Sequence, residues 1–170
     1  MSTTATTTER DDLVSTLDNH RRFLKFTARD LTDEQAAART TVSELCVGGL
    51  IKHVTLAERG WARFIVEGAP AMSFDAESQT TWARGFQMDE GDTLAGLLKA
   101  YDDVADATDE LVRTLPDLDA AHELPKAPWF PPGATWTARR VLLHILAETS
   151  QHAGHADIIR EALDGSKTMG

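Results

Sequence analysis

The 170-residue sequence predicts an all-α protein that folds as a four-helix bundle. Apolar residues recur three and four positions apart through four long stretches, which is the spacing that places them on one face of an α-helix. No stretch shows a convincing alternation of apolar and polar residues, the pattern of a half-buried strand. The connections between helices two and three and between helices three and four are long, and long ordered loops often carry function.

The first predicted helix covers residues 9–28 and is followed by a short helical turn at 31–35. Either Thr32 or Asp33 can cap that turn, because both side chains accept hydrogen bonds from backbone N–H groups. The apolar face of the helix is formed by Leu13, Leu17, Phe23, Leu24 and Phe26.

The second helix is predicted over residues 43–67, and Gly68 ends it, with Pro70 shortly after. Residues 69–91 are mixed in character, so we expect a long connection with at most one helical turn. Its aromatic residues, scattered among polar ones, are Phe74, Trp82 and Phe86.

The third helix begins at Asp92 and ends before Pro116. Prolines at 125, 128, 131 and 132 then mark an extended loop. Thr135 or Thr137 caps the fourth helix, which ends at Gly165.

Composition and charge limit the function classes. We expect one domain over residues 9–165, preceded by a disordered leader at 1–8 that lacks the features of a signal peptide. The formal net charge is −10 and no basic stripe offsets it, which argues against nucleic-acid binding. No apolar run is long enough to span a bilayer. Cys46 is the only cysteine, so an internal disulfide is excluded, and a reducing cytoplasm is the expected location.

The fourth helix carries polar side chains on the face that it should bury. At about 100° per residue, His144, Glu148, His152 and His155 fall within roughly 80° of arc. Val141 lies in the same sector. Three imidazoles and a carboxylate on a buried face are unfavourable unless they are paired or bound, and a metal ion accounts for them most simply.

A further histidine on helix two completes the predicted site. His53 shares its sector with Leu50 and Trp61, so it also points into the core. A bundle interior can bring His53 against Glu148 and His152, which are spaced i, i+4. Two histidines and one carboxylate with open positions suit a divalent ion, with zinc the first choice and nickel, iron or manganese the alternatives.

Each of the remaining candidates has a simpler interpretation beside the functional one. A lone core histidine usually hydrogen-bonds a backbone carbonyl or a hydroxyl. We expect His144 either to pack in the core or to contact a metal ligand without binding the ion itself. His155 is either a fourth ligand or a residue that orients a ligand and carries a proton, and it is the catalytic candidate. Trp61 lies two turns beyond His53 and could wall a cofactor pocket. We expect Cys46 to be a buried thiol of the core.

Two segments carry a resemblance to a known family. Val47-Gly-Gly-Leu-Ile-Lys-His53 and residues 142–161, which hold Glu148 and His152, resemble the DinB-like superfamily, in particular its DUF664 branch. They are similar to the metal-binding domain of mycothiol-dependent maleylpyruvate isomerase. The likeness runs from the first helix to Leu163, without the additional C-terminal domain of the isomerase, so that enzyme's substrate is not inherited.

The resemblance implies an up-down-down-up bundle with a divalent metal at one end. It assigns the ligands to His53, Glu148 and His152, with Glu148 as in the isomerase branch, where many relatives have histidine. It also implies thiol-dependent S-transfer with mycothiol or bacillithiol. Relatives often carry glutamine where this chain has His155, which leaves the role of that residue open.

Three hypotheses for function follow. The leading one is a metal-dependent thiol S-transferase whose partners are a small-molecule thiol and an electrophile, with no nucleic acid and no membrane. The alternative is a metal-binding, stress-related bundle protein without catalysis. A third hypothesis treats the site as vestigial and the bundle as a dimerisation module, since helix faces outside the core stripe allow a homodimer.

Overall fold

The computed structural model describes residues 8–72, 82 and 84–168. Most of the predicted leader and the middle of the connection between helices two and three, with Phe74, lie outside the described residues. Five α-helices are present in the described part: α1 (Glu9–Thr27), α2 (Asp33–Ala37), α3 (Val47–Glu67), α4 (Leu94–Thr114) and α5 (Ala138–Asp164). A 3-10 turn covers Ala69–Ala71, and two short strands are β1 (Ala121–Glu123) and β2 (Thr135–Thr137).

The four long helices form the predicted up-down-down-up bundle. Arg10 at the start of α1 donates to the carbonyl of Leu115 just after α4 at 2.6 Å, so α1 and α4 are antiparallel. Arg160 near the end of α5 donates to the carbonyl of Thr27 at the end of α1 at 2.9 Å, so α1 and α5 are parallel. Helix α5 packs against both α1 and α3, and α4 packs against α3.

The predicted helix ends agree with the structure to within two residues, except at the start of helix two. Thr32 and Thr137 each accept a backbone N–H as N-caps of α2 and α5, which decides between the predicted alternatives. Gly68 and Gly165 end α3 and α5 with φ of 72° and 79°, a region that favours glycine.

The predicted start of helix two at residue 43 is wrong. The helix begins at Val47, and Cys46 is its extended N-cap, whose Sγ accepts from the N–H of Gly49 at 3.4 Å. Upstream, the hydroxyl of Ser43 accepts the N–H of Leu45, and such local bonds compete with helix formation. Cys46 is buried, as predicted, although it lies before the helix.

The expectation of no strand is also wrong. Strands β1 and β2 pair antiparallel inside the long connection to α5, with His122 opposite Trp136. Strands of three residues are too short to show a recognisable alternation. His122 lies on β1, and its Nε2 is 3.2 Å from the carbonyl oxygen of Ile65.

A polar layer separates two apolar clusters along the bundle. Arg21 on α1 pairs with Glu58 on α3, and both side chains are at most 2% exposed. The guanidinium also donates to Asp109 on α4 at 2.8 Å. One cluster contains Leu24, Leu50, Val54, Tyr101 and Ala153, and the other contains Leu17, Phe64, Val112, Leu142 and Ile145. None of the described helices combines the length and the apolar character that a bilayer crossing requires.

Candidate metal centre

Helices α3 and α5 bring His53, Glu148 and His152 together. Nε2 of His53 lies 3.8 Å from Oε2 of Glu148, and Nε2 of His152 lies 3.6 Å from the same oxygen. One ligand atom from each of the three residues falls within 4.8 Å of the others. Glu148 and His152 are one turn apart on α5, and the antiparallel α3 places His53 opposite them.

The three side chains do not hydrogen-bond one another. Both distances to Glu148 are too long for hydrogen bonds. His53 is 2% exposed, and its other nitrogen, Nδ1, is buried without a hydrogen-bond partner among the described residues. Buried polar atoms normally have partners, so a buried Nδ1 without one among the described residues needs another explanation.

A divalent ion fits these residues. Two donor atoms at about 2.1 Å from one tetrahedral zinc ion lie about 3.4 Å apart, slightly closer than the 3.8 and 3.6 Å that separate the nitrogens of His53 and His152 from Glu148. Closing the whole group around one ion requires only a small movement of the histidines. Nitrogen and carboxylate oxygen are suitable donors for zinc, nickel, iron and manganese.

The charges of the site also suit a metal. The imidazoles of His152 and His53 hold the pKa of Glu148 well below its usual range, so the carboxylate is ionised. Burial lowers the pKa of His53, so this imidazole is neutral at neutral pH. Metal ligation requires an ionised carboxylate and an unprotonated imidazole, and these two residues are already in those states.

His155 contacts one of the three residues directly. Its Nδ1 lies 3.3 Å from Nδ1 of His152, which leaves Nε2 of His152 towards Glu148. One of the two Nδ1 atoms must donate and the other accept. His155 is therefore placed to select the tautomer and the orientation of His152.

Two aromatic residues that the sequence did not assign to the site surround His53. The ring of Phe86 stacks on the imidazole at a centroid distance of 3.7 Å and an interplanar angle of 19°. Trp82 meets the same imidazole edge-on at 4.9 Å and is 39% exposed. Both come from the connection between α3 and α4, which therefore forms one wall of the site.

Two glycines on α3 let this connection approach. A Cβ on Gly49 would stand 1.9 Å from the carbonyl oxygen of Phe86, and a Cβ on Gly48 would stand 2.3 Å from the sulfur of Met88. Adjacent glycines inside a helix are unfavourable by propensity, so their presence indicates a close backbone contact. The pair of glycines was therefore the feature of the sequence that could have predicted this close packing against α3.

Trp61 and His144 lie together towards the opposite end of α3. Trp61 is 5% exposed and stacks on Trp136 at 5.0 Å. It meets His144 edge-on at 4.8 Å, and Nε2 of His144 is 4.0 Å from Glu148. His144 thus joins an aromatic cluster to the site, and a role for Trp61 in cofactor binding stays a prediction.

Comparison with protein families identifies the family of this chain. The model of the mycothiol-S-transferase family matches residues 12–165. The chain belongs to the mycothiol-S-transferase family. Membership confirms the DinB-like resemblance read from the segments around His53 and Glu148. A comparison with curated proteins found no match.

Solved structures similar to this mycothiol-S-transferase family member share its fold. YfiT from Bacillus subtilis, a probable metal-dependent hydrolase with an unusual four-helix bundle topology, matches with a TM-score of 0.69 and 16% identity, covering 98% of this chain and 95% of YfiT. A conserved protein from Enterococcus faecalis matches with a TM-score of 0.67 and 14% identity, covering 95% and 100%. Identities this low show the bundle topology alone.

Proposed function

We propose that the protein is a metal-dependent thiol S-transferase in which His53, Glu148 and His152 hold a divalent ion, with zinc as the first candidate. The observation that carries the proposal is the buried imidazole of His53, which faces Glu148 at 3.8 Å and whose other nitrogen has no hydrogen-bond partner in the described part of the chain. Membership of the mycothiol-S-transferase family supports thiol transfer as the reaction.

The three proposed ligands would hold an ion that activates a thiol. A divalent ion bound here would take a thiol sulfur as thiolate and bring the pKa of the thiol towards neutrality. His53 and His152 supply neutral nitrogens, and Glu148 supplies a single negative charge, so the ligand set leaves net positive charge to attract a thiolate. The side chain of Glu148 is 29% exposed, so small molecules can reach the site.

The transfer itself needs a proton acceptor. A thiol of the mycothiol or bacillithiol type gives up its proton, and the sulfur forms a bond to an electrophilic carbon of the second substrate. The leaving group departs with the electron pair of the bond that breaks. We assign the proton to the imidazole of His155, which would accept it at Nδ1, the nitrogen that faces His152 and carries no proton while His152 carries its own on Nδ1.

One observation favours metal binding without catalysis as the second candidate. His53 and His152 are only 2% and 8% exposed, so the ion would be largely enclosed, as structural ions are. In that case zinc stabilises the protein, and no thiol adds further stabilisation to the zinc-loaded form.

The deciding experiment joins metal analysis to a conjugation assay. We expect purified protein to contain a divalent metal at one equivalent per chain and His152→Ala to lose it. We expect metal-loaded protein to conjugate mycothiol, bacillithiol or glutathione to monochlorobimane, and His152→Ala to be inactive. Metal-loaded protein that is inactive with all three thiols would overturn the transferase proposal, and full metal retention in His152→Ala would overturn the site.

A further inference from the structure

The two imidazoles of the centre are held in different ways. Nδ1 of His152 lies 3.3 Å from Nδ1 of His155, within hydrogen-bond distance. Nδ1 of His53 has no partner among the residues described. Histidines that bind metals usually have the second nitrogen fixed by a hydrogen bond, which sets the ring orientation. Something else must orient the ring of His53.

Aromatic packing is what contacts that ring. Phe86 lies nearly parallel to the imidazole at 3.7 Å, and Trp82 and His152 approach it edge-on at 4.9 and 4.8 Å. A parallel ring at this distance restricts rotation about the bond that joins the imidazole to Cβ, because any turn drives one ring into the other. Phe86 also meets His152, at 5.8 Å.

Phe86 is itself held in place by the backbone. The missing Cβ of Gly49 leaves room for the Phe86 carbonyl against α3. A few residues later, Asp89 and Asp92 both accept hydrogen bonds from the ammonium group of Lys52, at 2.7 and 2.8 Å. Lys52 is the neighbour of His53 in the chain, so the connection is tied to the turn of helix that carries the imidazole.

We propose that Phe86 is a positioning residue of the metal centre, whose ring replaces the missing hydrogen bond in orienting His53. The proposal rests on the metal site of the proposed function. A ligand whose ring is already oriented loses less rotational freedom when it binds an ion, so the stack raises affinity for the metal. The stack also covers the ring of His53 from water.

A purely structural role for Phe86 makes a different prediction. Phe86 packs against the apolar cluster around Leu50 and Val54, so its removal could destabilise the bundle without affecting the centre. Phe130 offers a matched control. It is also a half-buried phenylalanine in a long connection, and it contacts Trp61 and Trp136 instead of the site.

The test uses Co²⁺ alone as the probe, because its absorption bands report the geometry of its ligands, whereas Zn²⁺ has none. Full-length wild type, Phe86→Ala, Phe86→Leu, Phe86→Tyr and Phe130→Ala are titrated with Co²⁺ in the metal-free form. Circular dichroism and the melting temperature of each metal-free variant show whether the bundle is folded.

We expect Phe86→Ala and Phe86→Leu to bind Co²⁺ about tenfold more weakly than wild type, with altered bands, as loss of an orienting contact does elsewhere. Phe86→Tyr keeps the ring and should stay within about twofold of wild type, as should Phe130→Ala. Folded Phe86→Leu with the affinity and the spectrum of wild type would overturn the positioning role. Wild type that binds no Co²⁺ would instead contradict the metal site itself.

Discussion

The carbonyl oxygen of Phe86 occupies the space that a side chain on Gly49 would need. A Cβ built on Gly49 stands 1.9 Å from that oxygen and 2.4 Å from its carbon. Gly49 is one helical turn before His53, on the same face of α3. The absence of a side chain at one position of the helix therefore sets how closely the wall of the metal centre packs.

Gly49→Ala should weaken the centre although alanine is the better helix former. Alanine stabilises a helix interior by about 1 kcal/mol relative to glycine, so a loss of stability must come from the displaced backbone of Phe86. We expect the free energy of unfolding to fall by about 1–3 kcal/mol and zinc affinity to fall with it. Urea denaturation and zinc titration measure the two effects.

Gly60→Ala is the matched control on the same helix. Among the described residues, a Cβ there would meet the terminal carbon of Met72 alone, at 3.9 Å, which is ordinary contact. This variant should be as stable as wild type or more so and should bind zinc normally. An equal loss in both variants would mean that the effect is not specific to the wall.

Removal of the metal should lower the melting temperature. An ion that binds only the folded chain stabilises it by about 2.7 kcal/mol when free zinc is a hundredfold above Kd. Differential scanning calorimetry with and without a chelator should show this shift in wild type. Glu148→Gln removes the single negative ligand and should abolish it, and a zinc-dependent shift of wild-type size in this variant would rule out Glu148 as a ligand.

His155 should matter for metal affinity through His152. His155→Ala removes the group 3.3 Å from Nδ1 of His152, and we expect zinc affinity to fall by about tenfold or more. His155→Gln supplies a side-chain amide that can restore the hydrogen bond and should recover most of the affinity. Competition with a zinc-binding dye measures both variants. If His155→Gln recovers metal affinity but not conjugation activity, His155 also serves as the proton acceptor in the transfer reaction.

Removing one partner of the buried pair of Arg21 and Glu58 should destabilise the protein more than removing both. Glu58→Ala leaves a buried guanidinium with Asp109 as its remaining carboxylate, and we expect a loss of about 3–5 kcal/mol in the free energy of unfolding. The double variant Arg21→Met with Glu58→Leu removes both charges and should be much closer to wild type. Guanidinium chloride denaturation compares them.

An exposed pair provides the control for that comparison. Lys99 pairs with Asp103 at 2.7 Å on the surface of α4, and both side chains are more than 60% exposed. Lys99→Ala should change the free energy of unfolding by at most about 0.5 kcal/mol. A small effect of Glu58→Ala, comparable with that of Lys99→Ala, would contradict the importance of the buried layer.

Much of the fold was predictable because it depends on local features. The long helices follow from apolar spacing, and their ends follow from threonine caps and from Gly68 and Gly165. The start of α3 was misplaced because the hydroxyls of Thr41 and Ser43 accept nearby backbone N–H groups, and a periodic pattern does not show such bonds.

The candidate site was predictable in part for the same reason. Glu148 and His152 lie four residues apart on one helix, so their shared face can be read from the sequence, and the inward sector of His53 can be read in the same way. Residues close along a helix are close in space whatever the rest of the chain does.

Only the tertiary structure decided which groups meet across long separations. Three contacts join separate elements of the chain. They are the ion pair between Arg21 and Glu58, the antiparallel pairing of β1 with β2, and the stack of Phe86 on His53. Such contacts depend on how the helices pack and on the path of each connection, which no local window of sequence contains. The chain by itself determined the helices and their inward faces, and packing decided that a phenylalanine from a connecting segment stacks on a histidine of the candidate centre.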